Sequence, residues 1–236
     1  MQSRLYNAGW KLLDVLFPPK CAGCGSWGER YCPACFGKTR LITRPFWQIC
    51  GEPLPHSQEI ICARCRGQQV AFAAIRSWAV FSEPLQSAIH KLKYRQDRGL
   101  GMVLAQPLIE LQRRYHWKID LIIPVPLDKV RRKERGYNQA ALLARPISWQ
   151  NGVPYTDHAL FRDKITKQQV GLSASERREN MSGAFRADEK WVAGKKILVI
   201  DDVITTGSTI NACAAALINA GADQVYAITL ARSSHT

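Results

Sequence analysis

The sequence predicts an α/β protein: a core built on a parallel sheet, preceded by a small cysteine-rich head. Two observations carry this. Three apolar runs in the second half, "IDLIIPVPL", "KKILVID" and "QVYAITLAR", lack polar–apolar alternation and are separated by helical stretches. That is the pattern of strands covered on both faces. Seven of the eight cysteines fall between positions 21 and 65, outside that half. At 236 residues the chain has room for one ordinary domain and a small one. The expected division is a head at 1–70, a connecting or hood segment at 71–118 and a core at 119–236.

The N-terminal stretch "MQSRLYNAGWKLLDVLFPPKC" does not read as a signal peptide, because Arg4, Asn7, Lys11 and Asp14 interrupt any apolar run. Leu5, Leu12, Leu13, Leu16 and Phe17 recur at roughly helical spacing, so a short amphipathic helix is expected there. No apolar run approaches the roughly 18–20 residues of a membrane span, and a cytoplasmic location follows as an expectation.

In the head, "CAGC" (Cys21, Cys24) is followed by "CPAC" (Cys32, Cys35). Two thiolates two residues apart grip one tetrahedral ion, and two such knuckles complete a structural Zn2+ site. Disulfides are the alternative; reduced cytoplasmic thiols and paired CxxC units favour metal. A second set, Cys50, Cys62 and Cys65, is one ligand short, because Trp47 stands where a first cysteine would complete the pair. Either His56 supplies the fourth ligand, or the site has lost its metal or holds it weakly. The reading leans to the latter. Cys213, in "INACAAAL", reads as an inert core thiol.

Residues 71–118 read as one or two strands ("AFAAIRSWAVF") and two helices broken near Gly99–Gly101. Leu85, Ile89 and Leu92 share one helical face. Lys91, Lys93 and Arg95 project elsewhere, to solvent or into an anion cluster near a site. The helix that begins in "YNQAALLARPI" is expected to be shortened by Pro146.

The chemistry concentrates in "ILVIDDVITTGSTI", residues 197–210. A strand ends in two acids, and a loop then runs into a helix beginning near Ser208. Such a loop aims backbone N–H groups at one point, and the helix N-terminus adds partial positive charge. Gly207 allows close approach, while Thr205, Thr206, Ser208 and Thr209 offer hydroxyl donors: a monophosphate cradle. Asp201 and Asp202 suit vicinal hydroxyls further along the same molecule. Phosphate at one end and a diol at the other describe a ribose 5-phosphate. An ordinary helix cap needs only one hydroxyl.

This stretch resembles the 5-phosphoribosyl 1-pyrophosphate (PRPP) motif of type I phosphoribosyltransferases. The resemblance implies a phosphoribosyltransferase core in which Asp201 and Asp202 hold the ribose hydroxyls and act in catalysis. It places the 5-phosphate on Thr205, Thr206, Gly207, Ser208 and Thr209, with Mg2+ accompanying PRPP. The segments "DLIIPVPLDKVRRKERGYNQA" and "ITKQQVGLSASERRENMSGAF", with "HKLKY" and the cysteine-rich head, resemble the competence protein F family. That resemblance implies a double zinc ribbon and a role in DNA uptake or use of extracellular DNA. Trp47 departs from its cysteine pattern.

Lys129, Arg131, Arg132, Lys133 and Arg135 stand against only Asp128 and Glu134. The phosphoribosyltransferase fold suggests a pyrophosphate loop here; DNA phosphates or bulk solvent are the competing uses. By position, residues 162–186 would be the loop closing over PRPP, with Thr166, Gln169 and Arg177 as its site residues.

Net charge is +14, spread evenly: nine Lys/Arg against four acids in 1–70, eight against three in 71–118, and sixteen against twelve in 119–236. Polyanionic partners fit, single-stranded DNA or nucleotides among them, and a protein of the DNA-uptake machinery is a further expected partner. Little chain follows the last strand, so an acceptor pocket would come from the head and 71–118. The residues name no acceptor. A non-enzymatic nucleic-acid-binding or adaptor protein with a vestigial or sensing PRPP site is the alternative.

Overall fold

The computed structural model describes residues 18–54, 61–67, 70–94, 97–163 and 183–233. The core is a four-stranded, all-parallel sheet in the order β1 (Ala74–Val80), β6 (Gln224–Arg232), β5 (Lys196–Ile204), β2 (Leu121–Pro124). The head carries α1 (Pro33–Lys38) and α2 (Ala63–Arg66). Between β1 and β2 lie α3 (Leu85–Tyr94) and α4 (Arg98–Tyr115). After β2 come α5 (Lys129–Arg135) and α6 (Gln139–Asn151), then an antiparallel pair, β3 (Leu160–Arg162) and β4 (Phe185–Ala187), and α7 (Glu189–Val192). Helix α8 (Ser208–Asn219) joins β5 to β6.

Strand residues alternate between two apolar layers because side chains change face at every residue. Ile122, Leu198, Ile200 and Ile228 pack under α3, α4 and α6; Leu121, Ile123, Ile197, Val199 and Ala227 pack against α8 and the β3–β4 pair. Both faces are dry, which is why these strands read as unbroken apolar runs.

Segment 71–118 contributes directly to this sheet, since β1 is hydrogen-bonded to β6 along its length. The exposed edge of β1 is then covered by the head. Ile42 N–H donates to Trp78 C=O (3.0 Å), Val80 N–H to Arg40 C=O (2.8 Å) and Ile75 N–H to Ile49 C=O (2.8 Å). An open strand edge would invite pairing with another chain; here the ribbon closes it. Cys21, Ala22, Tyr31 and Cys35 join the α3–α4 core layer, and Arg30 bonds Asp97 at 2.9 Å.

The helices differ from expectation at three places. The α3–α4 break falls between Tyr94 and Arg98, and Asp97 caps α4 by accepting from the Leu100 N–H. Gly99 and Gly101 lie in the first turn of α4, where they serve close packing rather than a break. Pro146 sits buried inside α6, which continues to Asn151 and ends at Gly152 in the left-handed region (φ 67°). Residues 129–135 form a helix, not a loop: Asp128 caps it and Gly136 (φ 71°) closes it.

A Cβ on Gly101 would stand 2.8 Å from the Leu142 Cβ and 3.1 Å from its carbonyl oxygen, so α4 and α6 meet there backbone to backbone. Gly101→Ala is therefore expected to cost roughly 1–3 kcal/mol through forced separation, despite alanine's better helix propensity. Urea denaturation checks this; a neutral or stabilising effect would show that the helices part freely.

Candidate functional site

The carboxyl ends of all four strands share one edge of the sheet, the place where open α/β sheets bind ligands. Strand β5 does not stop at its acids: pairing continues through Asp201↔Thr229 and Val203↔Ala231 to Ile204↔Arg232. Asp201 and Asp202 are thus held by the ladder, and the pleat turns them to opposite faces.

Asp202 is buried, with Oδ1 3.1 Å from Lys93 Nζ of α3 and Oδ2 lacking a hydrogen-bond partner among the described residues. Asp201 is partly buried, points toward the α8 and β3 side near Cys213 and Arg162, and accepts from the Asp202 N–H at 2.9 Å. Desolvation, with the Asp202 charge second, raises the Asp201 carboxyl to about 7; Lys93 and Arg162 oppose the shift.

After Ile204, residues 205–207 turn and α8 begins at Ser208. Gly207 stands at the N-cap position with φ 84°, a left-handed conformation that glycine adopts without strain. Gly207 has no side chain to cap this helix end, and the Thr206 hydroxyl accepts from the Ser208 N–H in one long contact of 3.4 Å. Thr206 and Ser208 hydroxyls lie 2.7 Å apart, and residues 205–209 are all partly solvent-accessible. The first turn of this 12-residue helix offers N–H groups and partial positive charge to an anion.

The basic segment is arranged around Asp128, which is buried at the end of the β2–α5 connection. It accepts from the Arg131 N–H (2.9 Å) and lies near Arg131 Nε (3.5 Å) and Arg162 Nη1 (3.9 Å). Arg135 turns away, donating to Gln139 (2.9 Å) and to the Tyr94 hydroxyl (3.2 Å), its guanidinium 4.8 Å from that ring. Arg132 and Lys133 are exposed. Thr166, Gln169 and Arg177 lie outside the described residues, as do Arg95, His56 and the N-terminal helix.

Sequence reasoning placed Lys93 only within an anion cluster near the site and missed Arg162. Lys93 was visible as one of three cations off the apolar face of α3, with nothing to tie it to Asp202, 109 positions away. Arg162, in an unremarkable "LFRDK", gave no signal. Its guanidinium is largely desolvated, which lowers its pKa, and Asp128 is the largest opposing influence.

Helix α3 also touches the head. Lys91 Nζ donates to the Cys21 carbonyl at 3.0 Å, and the Tyr137 hydroxyl donates to the Leu92 carbonyl at 2.6 Å. The Sγ atoms of Cys21, Cys24, Cys32 and Cys35 lie within 4.8 Å of one another, with contacts of 3.6 Å (Cys21–Cys35) and 3.7 Å (Cys24–Cys32). A tetrahedron of sulfurs about 2.3 Å from zinc has edges of about 3.8 Å, so the four thiols fit a zinc ion and are too far apart for disulfides. Gly23 is required here: a Cβ would come 2.6 Å from Cys35 Sγ and 2.8 Å from Pro84 Cβ.

The second cluster, Cys50, Cys62 and Cys65, has its sulfurs equally close. Trp47 occupies the turn where the fourth ligand would stand, its carbonyl accepting from the Gly51 N–H at 2.8 Å. This cluster is pinned to the core, because the Arg232 guanidinium donates to the Cys50 carbonyl.

A double zinc ribbon domain matches residues 12–66, and a phosphoribosyl transferase domain matches residues 100–236. Fold and site together therefore define a phosphoribosyltransferase-type core carrying a zinc-ribbon head. Competence protein F of Haemophilus influenzae is 31% identical over 209 residues, covering 86% of this chain and 90% of its own length. DNA utilization protein YhgH of Escherichia coli K12 is 32% identical over 214 residues (89% and 92%). Competence protein ComFC of Bacillus subtilis is 27% identical over 234 residues (95% and 89%). The chain belongs to the competence protein F family.

The raised Asp201 carboxyl sets a pH dependence. Between its unfolded value, near 3.8, and its folded value, about 7, the folded chain binds more protons than the unfolded one. This contribution to stability is therefore present at low pH and lost as pH rises toward 7. Asp201→Asn removes it, so the variant's melting temperature should rise relative to the parent's between pH 5 and pH 8. A constant difference across that range would contradict the assignment.

Proposed function

We propose that the chain binds PRPP and acts in the uptake or use of external DNA. The observation that carries the first half is the meeting, at one end of β5, of a buried carboxylate whose Oδ2 has no hydrogen-bond partner among the described residues and the N-terminus of a 12-residue helix. The 5-phosphate would rest on the N–H groups and hydroxyls of residues 205–209. The ribose hydroxyls would donate to Asp202 Oδ2 and to Asp201. Both acids are hard oxygen donors near a polyphosphate and so suit Mg2+, which would neutralise part of the pyrophosphate charge.

In phosphoribosyl transfer the C1–O bond to pyrophosphate breaks, C1 becomes cationic, and an acceptor attacks it. This chain's residues would orient the sugar and stabilise positive charge at C1 through the adjacent carboxylates. Arg131 and its neighbours, near the β2–α5 connection, would face the departing pyrophosphate. Thr166, Gln169 and Arg177 keep their proposed place in a closing loop. The sequence around them supports this only by its resemblance.

The DNA half rests on the relatives' names, two of which are competence proteins and one a DNA utilization protein. One feature of the surface supports it and favours the adaptor reading alongside the enzymatic one. Helix α5 presents Arg132, Lys133 and a Val130 that is 48% exposed, beside Tyr94, 56% exposed and stacked by Arg135. Cations beside a partly exposed aromatic side chain, its ring already faced by Arg135 and His90, suit single-stranded DNA through its phosphates. Among the described residues no helix is long and apolar enough to cross a membrane. The reading places the protein in the cytoplasm, where an uptake machine would deliver its strand.

Two titrations test the halves separately. In calorimetry, PRPP with Mg2+ should bind the parent chain and lose at least about a hundredfold in affinity in Asp202→Asn, which strips the diol of its charged acceptor. Unchanged affinity would remove the site from Asp202. For single-stranded oligonucleotides, the double variant R132E/K133E should weaken binding and flatten its salt dependence by about two charges. Salt slopes identical to the parent's would place any DNA contact elsewhere.

A further inference from the structure

We infer that Lys93 determines which sugar phosphate the site accepts, by reading the anionic group on C1. The inference rests on the sugar-phosphate reading above and adds to it a residue from outside the core motif.

Lys93 extends from α3 onto Asp202, its side chain 23% exposed. An ammonium group has three N–H donors, and the one bond that Lys93 makes among the described residues is to Asp202 Oδ1. Two donors are left over beside a carboxylate whose other oxygen is bare. Of the other cations around the site, Arg135 is taken by Gln139 and Tyr94 and Lys91 by the Cys21 carbonyl, while Arg131 and Arg162 lie beside Asp128 at 3.5 and 3.9 Å.

The chemistry of the ligand settles what those two donors meet. The 5-phosphate at residues 205–209 fixes one end of the sugar. The diol, on C2 and C3, faces Asp202. C1 is bonded to C2, so whatever C1 carries lies beside the carboxylate that takes the diol, and hence beside that carboxylate's own cation. A pyrophosphate there gains charge-assisted hydrogen bonds from Lys93; a C1 hydroxyl gains a neutral one, about half as strong. A compact ammonium on a flexible stem can follow the anion without surrendering Asp202.

The expected signature is a change of selectivity rather than a general loss. Titrate PRPP and ribose 5-phosphate, each with Mg2+, into the full chain and into the K93M and K93R variants. In K93M the affinity for PRPP should fall at least about tenfold, while that for ribose 5-phosphate changes less than about threefold. K93R should keep most of the preference, which separates charge at that position from folding of the variant. Equal losses for both ligands in K93M would overturn the inference and make Lys93 only a support for Asp202. An undiminished preference would also overturn it, assigning the reading to another cation. A parent chain that binds neither sugar phosphate would instead overturn the PRPP reading beneath it.

Discussion

A buried carboxylate at the end of a parallel strand is the constraint around which this molecule is arranged. Asp202 is held in place by the β5 ladder and shut away from water, where an unpaired charge would be expensive. Its relief comes from Lys93 at 3.1 Å, carried by the helix between β1 and β2. Breaking such a pair from one side typically costs roughly 3–5 kcal/mol, enough to decide where α3 docks. The neighbouring Asp201 turns to the other face, where burial and the Asp202 charge raise its carboxyl to about 7.

That arrangement draws the head into the core's affairs. The helix that delivers Lys93 to the acids also delivers Lys91 to the Cys21 carbonyl, within the four-sulfur cluster, and its last turn meets Tyr137 and Arg135. Meanwhile the second cysteine cluster is tied to the end of β6 through Arg232, and residues 40–42 and Ile49 cover the edge of β1. A zinc ribbon is too small to hold itself together by burial alone. Here it is braced by the sheet, and in return it closes an edge that would otherwise be open to pairing.

Much of this was legible in the chain because the deciding interactions are local. Unalternating apolar runs identify strands covered on both faces, and paired CxxC spacing identifies the first metal cluster. The Thr–Thr–Gly–Ser–Thr run marks a strand-to-helix turn. What could not be read depends on contacts between distant segments. The β5 ladder runs on through its acids because β6 continues beside it to Arg232, a fact about a partner strand. The run from Lys129 to Arg135 looked like a loop because its cations hid a helical signal made by the Asp128 cap and the Gly136 terminator. Gly99 and Gly101 looked like a helix break because their use, close approach of Arg30 and of α6, lies in other elements. Arg162 is an isolated cation until folding carries it to Asp128.

The central claim is that the turn from β5 into α8 and the acids before it receive the two ends of one sugar phosphate. Backbone amide NMR of the 15N-labelled chain during titration with PRPP and Mg2+ tests it most directly. Resonances of Thr206, Gly207, Ser208 and Thr209 should move furthest, with Asp202 and Lys93 following and the first cysteine cluster moving least. Shifts confined to the ribbon or to α5, with residues 205–209 unmoved, would contradict it.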